Sequence, residues 1–178
     1  MKRSILLPIV TIALSAAILL GTSLALSGVA QENGRREHLH IMQTLLPGSE
    51  NFTVETYTGD DANIVSIHKG ETGFVIETLT YGYVDNIRML IGVSNDGKVT
   101  GLVVRDLSET FGLGAQALTD TDFLAQFLNT SGEAEVGNTV DALTGATVTS
   151  KAITRAVNSA VAYVTGADAS SGATSWGG

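Results

Sequence analysis

The pattern of apolar and polar positions divides the chain into stretches of different character. From Ser4 to Gln31 no side chain is charged, and Ile, Leu, Val and Ala dominate this 28-residue run. As one helix it would rise about 42 Å at ~1.5 Å per residue, more than the roughly 30 Å hydrocarbon core of a bilayer. The run predicts a single N-terminal transmembrane helix within residues 1–31. Met1-Lys2-Arg3 ahead of it puts the N-terminus in the cytoplasm by the positive-inside rule. The remainder would then lie on the outer (periplasmic or extracellular) face of a cell membrane, with the lipid bilayer as a partner. A cleaved signal peptide is the rival reading, with Ala25, Ser27, Gly28 and Ala30 near its end. Its apolar core is usually about 7–15 residues, so length favours a retained anchor.

Residues 32–50 predict a juxtamembrane helix with Leu39, Met42 and Leu46 on one side, stopped by Pro47-Gly48. His38 and His40, two apart, point in different directions on a helix and make a poor metal pair. Strands are expected at Phe52–Tyr57, Ile64–Ile67, Gly73–Tyr81, Ile87–Val93 and Val99–Val104. In the fourth, Ile87, Met89, Ile91 and Val93 alternate as a half-buried strand should, and Asn95-Asp96-Gly97 signals a tight turn into the fifth. Helices are expected from Thr121 to Asn129, with Phe123, Leu124, Phe127 and Leu128 on one face, and from Ser150 to Val164. In the latter, Ile153, Val157, Val161 and Val164 form a stripe beside Ala152, Ala156 and Ala160. The predicted class is α+β: an anchor over 1–31, a juxtamembrane helix over 32–50, a β-meander domain with packed helices over 51–165, and a flexible tail over 166–178.

Charge and composition narrow the function. Without Lys2 and Arg3 the basic residues fall from 10 to 8 against 18 acidic ones, a net charge of −10. Nucleic acid is therefore a poor partner, since phosphate contacts need a basic surface. The chain has no cysteine. Disulfides, cysteine-ligated iron–sulfur clusters, thioether-linked haem and thiolate zinc are excluded, so an organic cofactor would have to carry any electrons.

The chemistry concentrates at Thr144-Gly145-Ala146-Thr147-Val148-Thr149-Ser150, where small residues and hydroxyls lead into the last helix. A helix N-terminus offers unpaired N–H groups and a partial positive charge, a natural phosphate site, with Lys151 as a cation nearby. Read alone, the same residues also suit an ordinary turn and helix start. Asp141-Ala142-Leu143-Thr144-Gly145-Ala146-Thr147 resembles the sequence at which a flavin transferase joins FMN to threonine. That family is the FMN-binding domain found in the G subunit of Rnf complexes and in the C subunit of sodium-translocating NADH:quinone reductases. The resemblance implies covalent FMN as a phosphoester of Thr147, with Thr144, Gly145 and Ala146 beside it and Asp141 recognised by the transferase.

A second segment agrees with this. Glu109-Thr110-Phe111-Gly112-Leu113-Gly114 resembles the family's Glu-Thr-Pro-Gly-Leu-Gly loop, with Phe111 in place of proline. The resemblance implies that Glu109, Thr110, Gly112, Leu113 and Gly114 lie against the flavin. It further implies a membrane-anchored redox subunit of an Rnf-type ion-translocating complex, partnered by the other membrane subunits. No acid–base catalyst is required, because the redox chemistry belongs to the cofactor. A free-standing exported FMN-binding electron carrier, the C subunit of a quinone reductase and a binding module without flavin are the alternatives. A second copy of the motif occurs at Asp168–Thr174, within an Ala/Ser/Gly-rich stretch.

Overall fold

The computed structural model describes residues 3–107 and 120–167. They form a helix α1 (Arg3–Leu45), five strands β1 (Thr53–Glu55), β2 (Ile64–Lys69), β3 (Gly73–Tyr81), β4 (Asn86–Ser94) and β5 (Val99–Leu107), a short helix α2 (Thr121–Ala125) and a long helix α3 (Thr147–Thr165). The chain divides into two units, Met1–Ile41 and Met42–Gly178.

The first unit is the bulk of α1. Among the described residues no helix is long and apolar enough to cross a membrane. This corrects the transmembrane anchor expected over residues 1–31. The cell-membrane localisation, the cytoplasmic N-terminus and the outward-facing domain fall with it. The helix runs on without a break into a charged stretch from Glu32 to Glu37. Glu32 accepts from Arg35 at 3.0 Å and from Arg36 at 2.7 Å, and these bonds lower its carboxyl to about 2.

The second unit is a five-stranded antiparallel meander in the order β1-β2-β3-β4-β5, and with α3 it makes an α+β fold. The register follows the apolar pattern: Ile76 pairs with Ile91, and Ile67 with Ile76. These residues join Ile87, Met89, Val93 and the α3 residues Ile153, Val157 and Val161 in one core. Helix α3 lies across β3 and β4. The β1 edge is tied to it by the Tyr163 hydroxyl, which donates to Glu55 at 3.0 Å. Ser94 N–H donates to Lys98 O at 2.9 Å, closing the expected turn through Gly97.

Three features differ from the sequence pattern. Strand β4 is buried on both faces, Leu90 as fully as Ile91. The face away from α3 carries Val75 and Leu90, and the chain's own Met42, Leu45 and Leu46 are buried as well. Gly92 lies so close to the Leu45 carbonyl that a Cβ there would collide with it. Second, α2 stops at Ala125 rather than Asn129. Asn129 takes a φ of 64° and its N–H donates to Val99 O at 2.9 Å, so β5 draws the segment out of the helix. Third, β1 is only three residues long, pairing with Lys69 to Ile67 of β2.

Candidate functional site

The segment Asp141–Thr147 is a built loop rather than a passive connection. Gln126, the C-cap of α2, clasps Asp141 at the backbone: its Oε1 accepts from Asp141 N–H at 2.8 Å and its Nε2 donates to Asp141 O at 3.5 Å. Leu143 O accepts from Ala146 N–H at 2.9 Å, closing a turn with Thr144 and Gly145 at its tip. Gly145 has a φ of 75°, the left-handed region that L side chains enter only at a cost. Leu143 and Ala146 are buried in the core, while Asp141, Thr144, Gly145 and Thr147 are exposed.

Ser150, with a relative exposure of 0%, ties the turn to the helix. Its hydroxyl accepts from Leu143 N–H at 3.0 Å and donates to Ala146 O at 3.0 Å. Ala146 O also accepts from Ser150 N–H at 2.9 Å, the first main-chain bond of α3. Thr147 is therefore the first residue of α3, where sequence reading had the helix beginning at Ser150. The N-cap is Ala146, which provides no side-chain cap. The N–H groups of the first turn have no carbonyl one turn earlier within the helix to bond, and an anion is the natural acceptor for them. Thr147 thus presents an exposed hydroxyl beside an uncapped helix start, with exposed Lys151 one turn on.

The structure also brings against α3 a hairpin that the sequence pattern does not single out. The Phe74 and Tyr163 rings sit 5.7 Å apart, and Arg155 Nη2 donates to Tyr81 O at 3.1 Å. The hydrogen bond sets Tyr81, at the mouth of the β3–β4 turn, beside Arg155, about two turns along α3 from Thr147. That turn exposes Tyr81 at 63%, Tyr83 at 67% and Val84 at 51%, and Val148 beside Thr147 is 44% exposed. Two exposed tyrosines in one hairpin are the signal the sequence offers.

A polar hollow of ≈ 520 Å³ lined by Gln43, Gly48, Ser49, Glu50 and Asn51 lies elsewhere. Ser49 hydroxyl partners place it by Thr72, at the opposite end of β3 from Tyr81. Its lining is mainly polar. Among the described residues no group of three His, Asp or Glu side chains could hold a metal ion. Glu109, Thr110, Gly112, Leu113 and Gly114 lie outside the described residues, as does the Asp168–Thr174 copy of the motif.

Comparison with known proteins gives the family. Residues 82–162 match the FMN-binding domain, a span that starts in the β3–β4 turn and ends in α3. The chain is 37% identical over 139 residues to the G subunit of the ion-translocating oxidoreductase complex of Methanosarcina acetivorans, covering 69% of this chain and 72% of that one. It is 39% identical over 99 residues to the G subunit of the proton-translocating ferredoxin:NAD(+) oxidoreductase complex of Clostridium ljungdahlii, 52% of this chain and 53% of that one. It is 27% identical over 174 residues to the G subunit of the Na(+)-translocating ferredoxin:NAD(+) oxidoreductase complex of Acetobacterium woodii, 84% of each.

Proposed function

Because the chain belongs to the FMN-binding-domain family that includes the G subunits of ion-translocating oxidoreductase complexes, we propose that it is an electron carrier holding FMN as a phosphoester of Thr147. The expected membrane-anchored subunit gives way to this reading, since no helix among the described residues is long and apolar enough to cross a membrane. A free-standing FMN-binding electron carrier is the better description.

The observation that carries the reading is the exposed Thr147 at the uncapped start of α3. A phosphate there would meet the first-turn N–H groups and the positive end of the helix, and it would need no side-chain cap to be displaced. The residues thus fit the group. When bound, FMN supplies the electron transfer. The chain's task is to fix and shield it. Thr147 carries the bond, Thr144, Gly145 and Ala146 shape the approach, and exposed Asp141 offers a carboxylate for recognition by a flavin transferase. Tyr81, Tyr83, Val84 and Val148 would give the ring an apolar side. Glu109, Thr110, Gly112, Leu113 and Gly114 are assigned to flavin contact on the sequence resemblance. The relatives are members of multisubunit complexes, which supports redox proteins of that kind as electron donor and acceptor.

The test is the intact mass of the chain produced together with a flavin transferase. One FMN less one water should be added, and the flavin-bearing peptide should contain Thr147. Thr147→Ala should lose covalent flavin entirely; covalent flavin retained in that variant would overturn the assignment.

A further inference from the structure

Resting on the reading of Thr147 as the flavin acceptor, we propose that Ser150 is a positioning residue for the attachment reaction: one buried hydroxyl locks the recognition turn in the shape the transferase must grip. Its role does not follow from side-chain chemistry toward flavin, because Ser150 is fully buried and faces away from solvent. It follows from what the hydroxyl joins. Leu143 N–H donates to it at 3.0 Å and it donates to Ala146 O at 3.0 Å. Leu143 and Ala146 are the two ends of the turn whose tip is Thr144 and Gly145. A single oxygen therefore closes the turn from below, while Leu143 O and Ala146 N–H close it from within. Gly145, at a φ of 75°, is the position most prone to leave this shape once released.

Attachment imposes demands that this arrangement meets. The Thr147 Oγ1–phosphorus bond must form while the bond from that phosphorus to its leaving group breaks. FAD, in which the FMN phosphate is joined to AMP through an anhydride, has such a leaving group. AMP departs with the bridging oxygen and its electron pair, and the Thr147 proton passes to a base of the transferase. The attacking hydroxyl stands at the junction of turn and helix, so its direction is set by both. An unpinned turn would populate the grip-ready shape only part of the time. The apparent affinity of the transferase for this protein would fall by that fraction, while the bond-making step, once bound, would be unchanged. The prediction is a KM effect.

The experiment uses the full chain, purified without flavin, as the acceptor for a flavin transferase supplied with FAD. Attachment is followed by intact mass, and folding of each variant is checked by circular dichroism. Ser150→Ala should raise the KM for the protein acceptor roughly tenfold with kcat within about twofold of the unsubstituted chain. Ser150→Thr, which keeps the hydroxyl, should recover most of the difference. Ser159→Ala removes another buried hydroxyl of α3, one bonded to Asn63 at 3.2 Å, and should leave KM unchanged. If Ser150→Ala does not fold, Ser150→Cys fills the volume with a weaker hydrogen-bonding group and carries the same expectation. Unchanged KM at position 150, or an equal rise in Ser159→Ala, would overturn the positioning role. An unsubstituted chain whose Thr147 stays unmodified would instead overturn the acceptor reading beneath it.

Discussion

Asn158 and Ala134 share two hydrogen bonds: Asn158 Nδ2 donates to Ala134 O at 2.9 Å and Asn158 Oδ1 accepts from Ala134 N–H at 3.3 Å. Both residues are buried, so this amide satisfies the main chain of the 126–146 segment from the middle of α3. Asn158→Leu should leave Ala134 N–H and C=O without partners in the core, at a cost of about 2–4 kcal/mol. A urea titration read by circular dichroism would measure it. A loss of a few tenths of a kcal/mol would mean that the segment relaxes to reach water.

The exposed hairpin predicts a spectroscopic effect separate from attachment. If Tyr83 and Tyr81 give the ring its apolar side, Tyr83→Ala and Tyr81→Ala should be flavinylated normally. Their flavin fluorescence should rise and their reduction potential shift, because tyrosine stacked on a flavin quenches it and limits its exposure to water. Spectra and potentials identical to those of the unsubstituted protein in both variants would remove the hairpin from the site.

Thr78 and Thr80 are buried on β3, and their hydroxyls have no hydrogen-bond partner in the structure. Valine keeps the shape and removes the unsatisfied group. Thr78→Val and Thr80→Val should therefore be neutral or stabilising by up to about 1 kcal/mol. A thermal melt showing loss instead would reveal a water molecule bonded to these hydroxyls.

Glu71 predicts a pH dependence. Its carboxyl is held below the ordinary carboxylate range, first by its own backbone N–H and then by those of Asn51 and Glu50, which donate at 3.4 and 3.1 Å. For a depressed carboxyl the stabilisation is present above the ordinary range and is lost as pH falls through the lowered value. Glu71→Gln should thus be less stable than the parent at neutral pH and indistinguishable from it in strong acid. The group is exposed, so the difference should be small; comparison of urea midpoints in the two conditions checks it.

The tail copy of the motif, Asp168–Thr174, offers the same threonine after Gly-Ala. Around it the sequence is Ala/Ser/Gly-rich, without the apolar stripe that follows Thr147. Thr174→Ala should leave the flavin content at one per chain. A native mass with two FMN groups, or a flavin peptide containing Thr174, would refute single-site attachment.

Much of this was legible in the sequence where the signal is local. The alternation Ile87, Met89, Ile91, Val93 identified the α3-facing side of β4, and Asn95-Asp96-Gly97 located its turn. The burial of Leu90 and Gly92 on the other face was not legible, because it depends on residues 42–46 arriving from far along the chain. The α2 segment shows the same conflict: its apolar spacing continues to Leu128, yet pairing of Asn129 with Val99 ends the helix early. At the site, the Thr147 motif stood out through resemblance. Ser150 did not, since a serine in a run of hydroxyls says nothing until both of its partners are known. Tyr81 and Tyr83 likewise needed the bond that sets Tyr81 beside Arg155.

Gly92 pairs with Gly101 across β4 and β5, and the Leu45 carbonyl, which accepts from the Thr100 hydroxyl, lies directly over them. This seat is made of main chain against main chain. Its position is therefore indifferent to which apolar side chains fill the core on the far side of the sheet. One face of the domain is free to drift in sequence while the other is fixed by the absence of side chains. Alanine at position 92 would lift residues 42–46 as a lever does, however well the rest of the core were repacked. Among diverging descendants of this domain, the trace of that seat would be a pair of bare positions in adjacent strands, kept in register after the residues around them have changed.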